Sequence, residues 1–239
     1  MKAFGTLYGI GVGPGSPDLL TLRAVEALHS VDVILAAASP RNEHSLALSI
    51  ASPHLPADAQ VLRLDFPMTR DEDVLRASWR ENALLVAEQL AAGKSAAFLT
   101  LGDPLIYSTF GYLMQTLLRE CPDAPIQVIP GITSFQDAAA KSRTILCEGE
   151  ENLFIIAGIN TPERLDQALA ASDSAVILKA YKNSEEIYKA LSRTRKSSET
   201  VFASRLGLEG ESLLRGLEQA PEKPHYLSLL LAPPRRGKE

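Results

Sequence analysis

Cysteine is nearly absent from this sequence, aromatic residues are few, and no long apolar run occurs. Cys121 and Cys147 are too few and too isolated to form a disulfide framework or a thiolate metal site. No apolar stretch reaches the roughly 20 residues that a bilayer helix requires, so no membrane span is expected. The opening residues run straight into strand-like sequence and lack a signal peptide's apolar region and cleavage site, which leads us to expect a cytoplasmic protein. Positive charge is not in excess either. With 24 Lys and Arg against 29 Asp and Glu, the net charge is −5, which argues against a nucleic-acid partner held through its phosphates. The 15 glycines and 15 prolines follow no period, and 46% of residues are hydrophobic, so neither a rod nor a disordered chain is expected. A length of 239 residues gives one or two domains at roughly 150 residues each and a core that needs no staples.

What remains is a rhythm of short apolar strands followed by amphipathic helices. Residues 7–12, 31–36, 60–64, 96–101 and 126–129 read as strands of nearly continuous apolar character. That pattern predicts a largely parallel sheet covered on both faces. The clearest helix is 71–92, where Leu75, Trp79, Ala83, Val86 and Leu90 form one stripe that reads as core packing. Asp71, Glu72 and Asp73 suit its first turn, and Gly93 its end. Beyond Pro130-Gly131, segments 153–157, 175–178, 200–203 and 226–231 are again strand-like. Thr161-Pro162-Glu163 and Asn183-Ser184-Glu185-Glu186 are expected to cap and open helices. Two domains follow, 1–131 and 132–239.

Three segments at predicted strand ends could carry chemistry. Gly9-Ile10-Gly11-Val12-Gly13-Pro14-Gly15 follows the first strand, but the sixth position of a dinucleotide fingerprint is Pro14 or Ser16, so that pattern fails. Glycines here still permit close backbone approach to a ligand. Gly102-Asp103-Pro104 ends the fourth strand, where Asp103, read alone, is a turn former. Pro130-Gly131-Ile132-Thr133-Ser134 ends the fifth. A parallel sheet would bring all three to one edge. His29, His44, His54 and His225 lack ligand spacing and read as surface or capping residues, and no metal site is expected.

Taken in order, Gly11-Val12-Gly13-Pro14-Gly15 with Leu19-Leu20-Thr21, Gly102-Asp103-Pro104 and Pro130–Ser134 resemble the tetrapyrrole methylases, across essentially the whole chain. Within that family the chain is most similar to the precorrin-2 C20-methyltransferases. The carriers are Phe66-Pro67-Met68-Thr69, Trp79, Phe98–Pro104 with Tyr107-Ser108-Thr109, and Tyr226-Leu227-Ser228-Leu229. The resemblance implies a bilobal α/β fold, with an N-terminal parallel domain and a C-terminal domain of mixed sheet. It implies S-adenosyl-L-methionine as methyl donor, a small tetrapyrrole as substrate, a role in cobalamin biosynthesis, and a homodimer. Carried over by position, donor contacts fall on Pro14, Leu101, Gly102, Asp103, Ile106, Thr133, Ser134, Ala157, Lys179, Leu206 and Ser228. The substrate side falls on Gly13, Arg41, Tyr107, Ser108 and Thr109.

Because the donor brings its own leaving group, no catalytic residue, triad or metal is assigned, and positioning is expected to carry the reaction. Carboxylates on the substrate call for local basic groups, for which Arg41, Lys141, Arg143, Lys179, Lys182 and Arg205 are candidates. Alternatives remain open at this point. They are a methylase of the same fold acting on another tetrapyrrole position, on diphthamide or on ribosomal RNA ribose, and a non-catalytic binding module.

Overall fold

The computed structural model describes residues 4–38, 45–157, 161–194 and 197–234, and the chain divides into two compact units, Met1–Thr133 and Ser134–Glu239.

The first unit contains a five-stranded sheet in the order β3-β2-β4-β1-β5, with all neighbours parallel. Its strands are β1 (Leu7–Gly11), β2 (Val33–Ala38), β3 (Gln60–Asp65), β4 (Ala96–Thr100) and β5 (Ile126–Ile129). Helices α1 (Leu22–Ser30) and α2 (Leu46–Ala51) cover one face, packing Ala24, Leu28 and Ile50 onto Ile10, Ile34 and Leu99. Helices α3 (Glu72–Ala91) and α4 (Phe110–Glu120) cover the other, packing Val86, Leu90, Phe110 and Leu113 onto Leu7, Leu35 and Phe98. Continuous apolar strands are thus explained by burial on both faces.

Helix α3 begins as its sequence predicts. The Asp71 carboxylate accepts from the N–H groups of Asp73 (3.0 Å) and Val74 (3.2 Å), satisfying donors that the first turn leaves unpaired. Its stripe is buried at Ala83, Val86 and Leu90 but only partly at Trp79, whose ring stacks on Tyr112 at 4.4 Å. Strand β2 starts two residues later than expected, because Val31 terminates α1 and the Asp32 carboxylate accepts from Ser95 N–H (2.8 Å).

The second unit has a mixed sheet in the order β6-β7-β10-β8-β9. Its strands are β6 (Leu153–Ala157), β7 (Ser174–Leu178), β8 (Val201–Ser204), β9 (Ser212–Arg215) and β10 (Ser228–Ala232). Strands β6 and β7 are parallel and the remaining pairs antiparallel. Helix α5 (Ser134–Ser142) contributes Phe135 and Ala138 to one face, while α6 (Pro162–Ala171) and α7 (Ser184–Arg193) bury Leu165, Leu169, Ile187 and Leu191 on the other. Helices α6 and α7 open where expected, but neither Thr161 nor Asn183 makes the side-chain capping bond; Asn183 instead turns the chain with φ +57°. Strand β10 begins at Ser228 rather than Tyr226. Tyr226 packs on Tyr181 (5.1 Å between ring centroids), and Leu227 N–H donates to His225 Nδ1 (3.1 Å).

Candidate functional site

In the first unit, the three glycine-bearing segments leave three adjacent parallel strands, β4, β1 and β5, at their C-terminal ends. Ligands of open α/β sheets bind outside that edge. The segments are stitched to one another. Gly102 N–H donates to the Gly13 carbonyl (2.7 Å), Gly13 N–H returns the bond (3.3 Å), and Val12 N–H donates to the Thr100 carbonyl (3.0 Å). Gly11 and Gly131 touch backbone to backbone. A Cβ built on Gly11 would lie 2.6 Å from Gly131 Cα and 2.5 Å from the Gly102 oxygen, so no larger residue fits.

Asp103 completes this assembly. One carboxylate oxygen accepts from Leu105 N–H (2.9 Å), closing its own turn, and the other accepts from Gly131 N–H (3.1 Å), 28 residues away. The side chain therefore clasps the segment after β4 to the segment after β5. Ser108 is likewise engaged within the protein. Its hydroxyl meets that of Thr100 at 2.8 Å and accepts from Phe110 N–H (3.1 Å), so it, rather than the neighbouring Thr109, caps α4.

Between these engaged groups, the backbone of Gly102 is exceptional. Its φ is +69°, and a Cβ there would meet nothing closer than 3.9 Å, at the Ile132 carbonyl oxygen. Room thus exists beside Gly102 and buried Thr133. Pro14 is buried at the same edge, whereas Leu105, Ile106 and Tyr107 are exposed, Tyr107 with φ +51°. Arg41 and His44 lie outside the described residues.

In the second unit, the remaining candidates again share one sheet edge. Ala157 ends β6 and pairs with Leu178; Lys179 follows Leu178; Leu178 pairs with Leu229, and Ser228 precedes it; Leu206 lies two residues beyond the end of β8. Ser134 opens α5, whose Phe135 and Ala138 pack in the same apolar cluster as Leu206. Ser228 is 4% exposed, and its hydroxyl oxygen is buried without a hydrogen-bond partner among the described residues. A buried hydroxyl left unpaired is costly unless a ligand or water meets it. Lys179 and Arg205 both carry positive φ, +56° and +50°. Strained backbone of this kind concentrates at functional sites.

The basic candidates separate by their partners. Lys141 is committed to Glu211 (2.6 Å) and to buried Asp137 (3.4 Å). Burial acts to lower its pKa, but the bond to Glu211 and the two carboxylate charges outweigh burial and raise it. Glu211 is held below its ordinary value by that bond, and also by accepting from Gly207 N–H (2.5 Å). The Lys182 ammonium sits 5.7 Å from the Tyr181 ring centre. Burial, and then Tyr181, push the Tyr226 phenol upward. Glu211 carried no signal in the sequence, since its partner Lys141 is 70 residues away.

Comparison with known proteins agrees with this arrangement. The family model described as Tetrapyrrole (Corrin/Porphyrin) Methylases matches residues 6–221. The cobalt-precorrin-2 C(20)-methyltransferase of Salmonella typhimurium is 33% identical over 230 residues, covering 95% of this chain and 96% of that protein. The precorrin-2 C(20)-methyltransferase of a Sinorhizobium species is 31% identical over 237 residues, covering 96% and 95%. Among solved structures, uroporphyrin-III C-methyltransferase from Thermus thermophilus, in complex with S-adenosylhomocysteine, superposes with a TM-score of 0.66 at 23% identity, covering 96% of this chain and 92% of that one.

Proposed function

The chain belongs to the tetrapyrrole (corrin/porphyrin) methylases, and on that premise we propose that it transfers a methyl group from S-adenosyl-L-methionine to the C20 meso carbon of precorrin-2 or cobalt-precorrin-2 in cobalamin biosynthesis. The observation that carries this reading is near-full-length identity of about one third to enzymes named for that reaction. The cobalt, where present, is part of the substrate. With the assignment go the expectations of a homodimer and a cytoplasmic location.

The residues present suit the donor. Beside Gly102 there is space that a Cβ would enter without collision, bounded by the backbone of Ile132 and Thr133. Ser228 offers a buried hydroxyl with no hydrogen-bond partner among the described residues. We assign donor binding to the edge formed by Pro14, Leu101, Gly102, Asp103, Ile106 and Thr133, and to the edge formed by Ser134, Ala157, Lys179, Leu206 and Ser228. Gly13, Tyr107, Ser108 and Thr109 are assigned to the substrate side, together with Arg41. When bound, the donor supplies a methyl group on a sulfonium that is already a good leaving group. The chain's task is then to bind and orient. Gly13, Gly102 and Gly131 bring backbone close, and Asp103 holds the segments of Gly102 and Gly131 in register through neutral N–H groups. Ser108, bonded to Thr100, fixes the start of α4, which follows exposed Ile106 and Tyr107 in the chain. Fixed geometry of this kind can supply several kcal/mol toward a displacement. The test is turnover of precorrin-2 and its cobalt chelate by the purified protein; methylation at another ring position would instead make it a methylase of a different step.

A further inference from the structure

A tetrapyrrole with acetate and propionate arms, and a donor with an amino-acid end, both present carboxylates to a protein whose net charge is −5. Lys141 is held by Glu211 and Asp137. Arg205 differs. It forms no ion pair among the described residues, and its Nε is buried without a hydrogen-bond partner.

The group is nevertheless held in place. Arg205 follows β8 directly, and its N–H donates to the carbonyl of Leu227, the neighbour of Ser228 (2.9 Å). The turn that it opens is closed by Leu208 N–H on the Arg205 carbonyl (3.0 Å) and Glu211 N–H on the Leu208 carbonyl (3.1 Å). Glu211, a carboxylate in the same turn, is taken by Lys141 and by Gly207 N–H and does not neutralise Arg205. The guanidinium lies face-on against Gly210. A Cβ built there would come within 2.6 Å of both Cζ and Nη2 and 2.8 Å of Nη1, so the bare glycine is what lets it lie there. The backbone at Arg205 is left-handed (φ +50°), a conformation that a residue with a side chain holds only where its surroundings fix it. A planar fork of donors, packed on one face and with no ion pair among the described residues, matches a carboxylate in two parallel hydrogen bonds.

We propose that Arg205 is a carboxylate receptor of the ligand site, its guanidinium binding either a substrate acetate or propionate or the α-carboxylate of the donor. The inference rests on the function proposed above, which places the donor beside Leu206 and Ser228.

The experiment uses the full chain with Arg205→Gln and Arg205→Lys. Calorimetry measures S-adenosylhomocysteine and 5′-methylthioadenosine, a related nucleoside thioether without the carboxylate, and turnover measures KM for precorrin-2. If Arg205 takes the donor carboxylate, Arg205→Gln weakens S-adenosylhomocysteine at least tenfold and leaves methylthioadenosine unchanged. If it takes a substrate carboxylate, KM for precorrin-2 rises at least tenfold and both nucleosides bind as before. Arg205→Lys, which keeps the charge and loses the fork, shows the same pattern in weaker form. Should Arg205→Gln fail to fold, Arg205→Lys with the parent's melting temperature must still show it. Constants within twofold of the parent in a folded variant overturn the proposal, as does equal weakening of both nucleosides, which marks a purely structural arginine. A parent protein that neither binds S-adenosylhomocysteine nor methylates a tetrapyrrole overturns the function itself, and is seen before any variant is made.

Discussion

Replacing Asp103 with Ala should loosen the glycine-bearing edge of the first unit by a calculable amount. The substitution removes two hydrogen bonds from backbone N–H groups to a carboxylate, 2.9 Å to Leu105 and 3.1 Å to Gly131. Bonds to a charged group contribute about 1.5–3 kcal/mol each when buried. Asp103 is half-buried and Leu105 exposed, so the sum falls at about 2–3 kcal/mol. For a chain of this size that is a drop of roughly 5–10 °C in melting temperature. Asp103→Asn retains one acceptor oxygen and should lose about half as much. Donor affinity should fall in the same order, Ala more than Asn, because the segments carrying Gly102 and Thr133 lose their register. Differential scanning fluorimetry beside calorimetry with S-adenosylhomocysteine reads both quantities on one sample. A stable Asp103→Asn protein that no longer binds the ligand would refute the clasp, since charge rather than the acceptor pair would then be what matters.

Other substitutions discriminate packing from binding. Gly131→Ala places a Cβ against the Gly102 carbonyl and 2.7 Å from Gly11 Cα, where only backbone can yield, and should cost on the order of 3 kcal/mol in urea unfolding. Gly102→Ala has space and should cost about 1 kcal/mol for its positive φ, staying folded while the dissociation constant for the donor rises; unchanged affinity contradicts the placement. Glu211→Gln should lower stability by up to about 1 kcal/mol, because this ion pair is only partly buried. The lowered Glu211 pKa gives stability that is present above its ordinary 4.5 and is lost as pH falls through the folded value; the raised Lys141 pKa gives stability that is present below 10.5 and is lost as pH rises through the folded value. The melting-temperature gap between parent and variant should therefore be level between those limits and close beyond both; a gap independent of pH contradicts the pairing. Sedimentation at micromolar concentration should show a dimer, and a concentration-independent monomer contradicts that expectation.

Local patterns were legible where one face or one run decides the outcome. Strands β5 and β6 fall on the residues that their apolar character marks, and α3 starts at the carboxylate that its sequence nominates. Strand β9 was missed because Ser212-Leu213-Leu214-Arg215 is a four-residue segment that is unremarkable until it pairs with β8. The shared edge of the three glycine segments follows from parallel strands, and their places at C-terminal strand ends announced it. That β4, β1 and β5 are immediate neighbours depends on strand order, which no local signal encodes. The bond from Asp103 to Gly131, the contact of Gly11 with Gly131 and the pairing of Lys141 with Glu211 all join distant residues. Composition could nominate Lys141 and Arg205 equally as carboxylate ligands; only the fold shows the first occupied and the second unpaired among the described residues.

The central claim is tested most directly by following one labelled methyl group. The purified protein would be incubated with S-adenosyl-L-methionine carrying a ¹³C methyl group, against precorrin-2 and cobalt-precorrin-2 in parallel, and the product read by carbon NMR. The account predicts a single label per tetrapyrrole, on the C20 meso carbon, from at least one of the two substrates. A label on any other carbon, or donor binding with no transfer to either substrate, would contradict it.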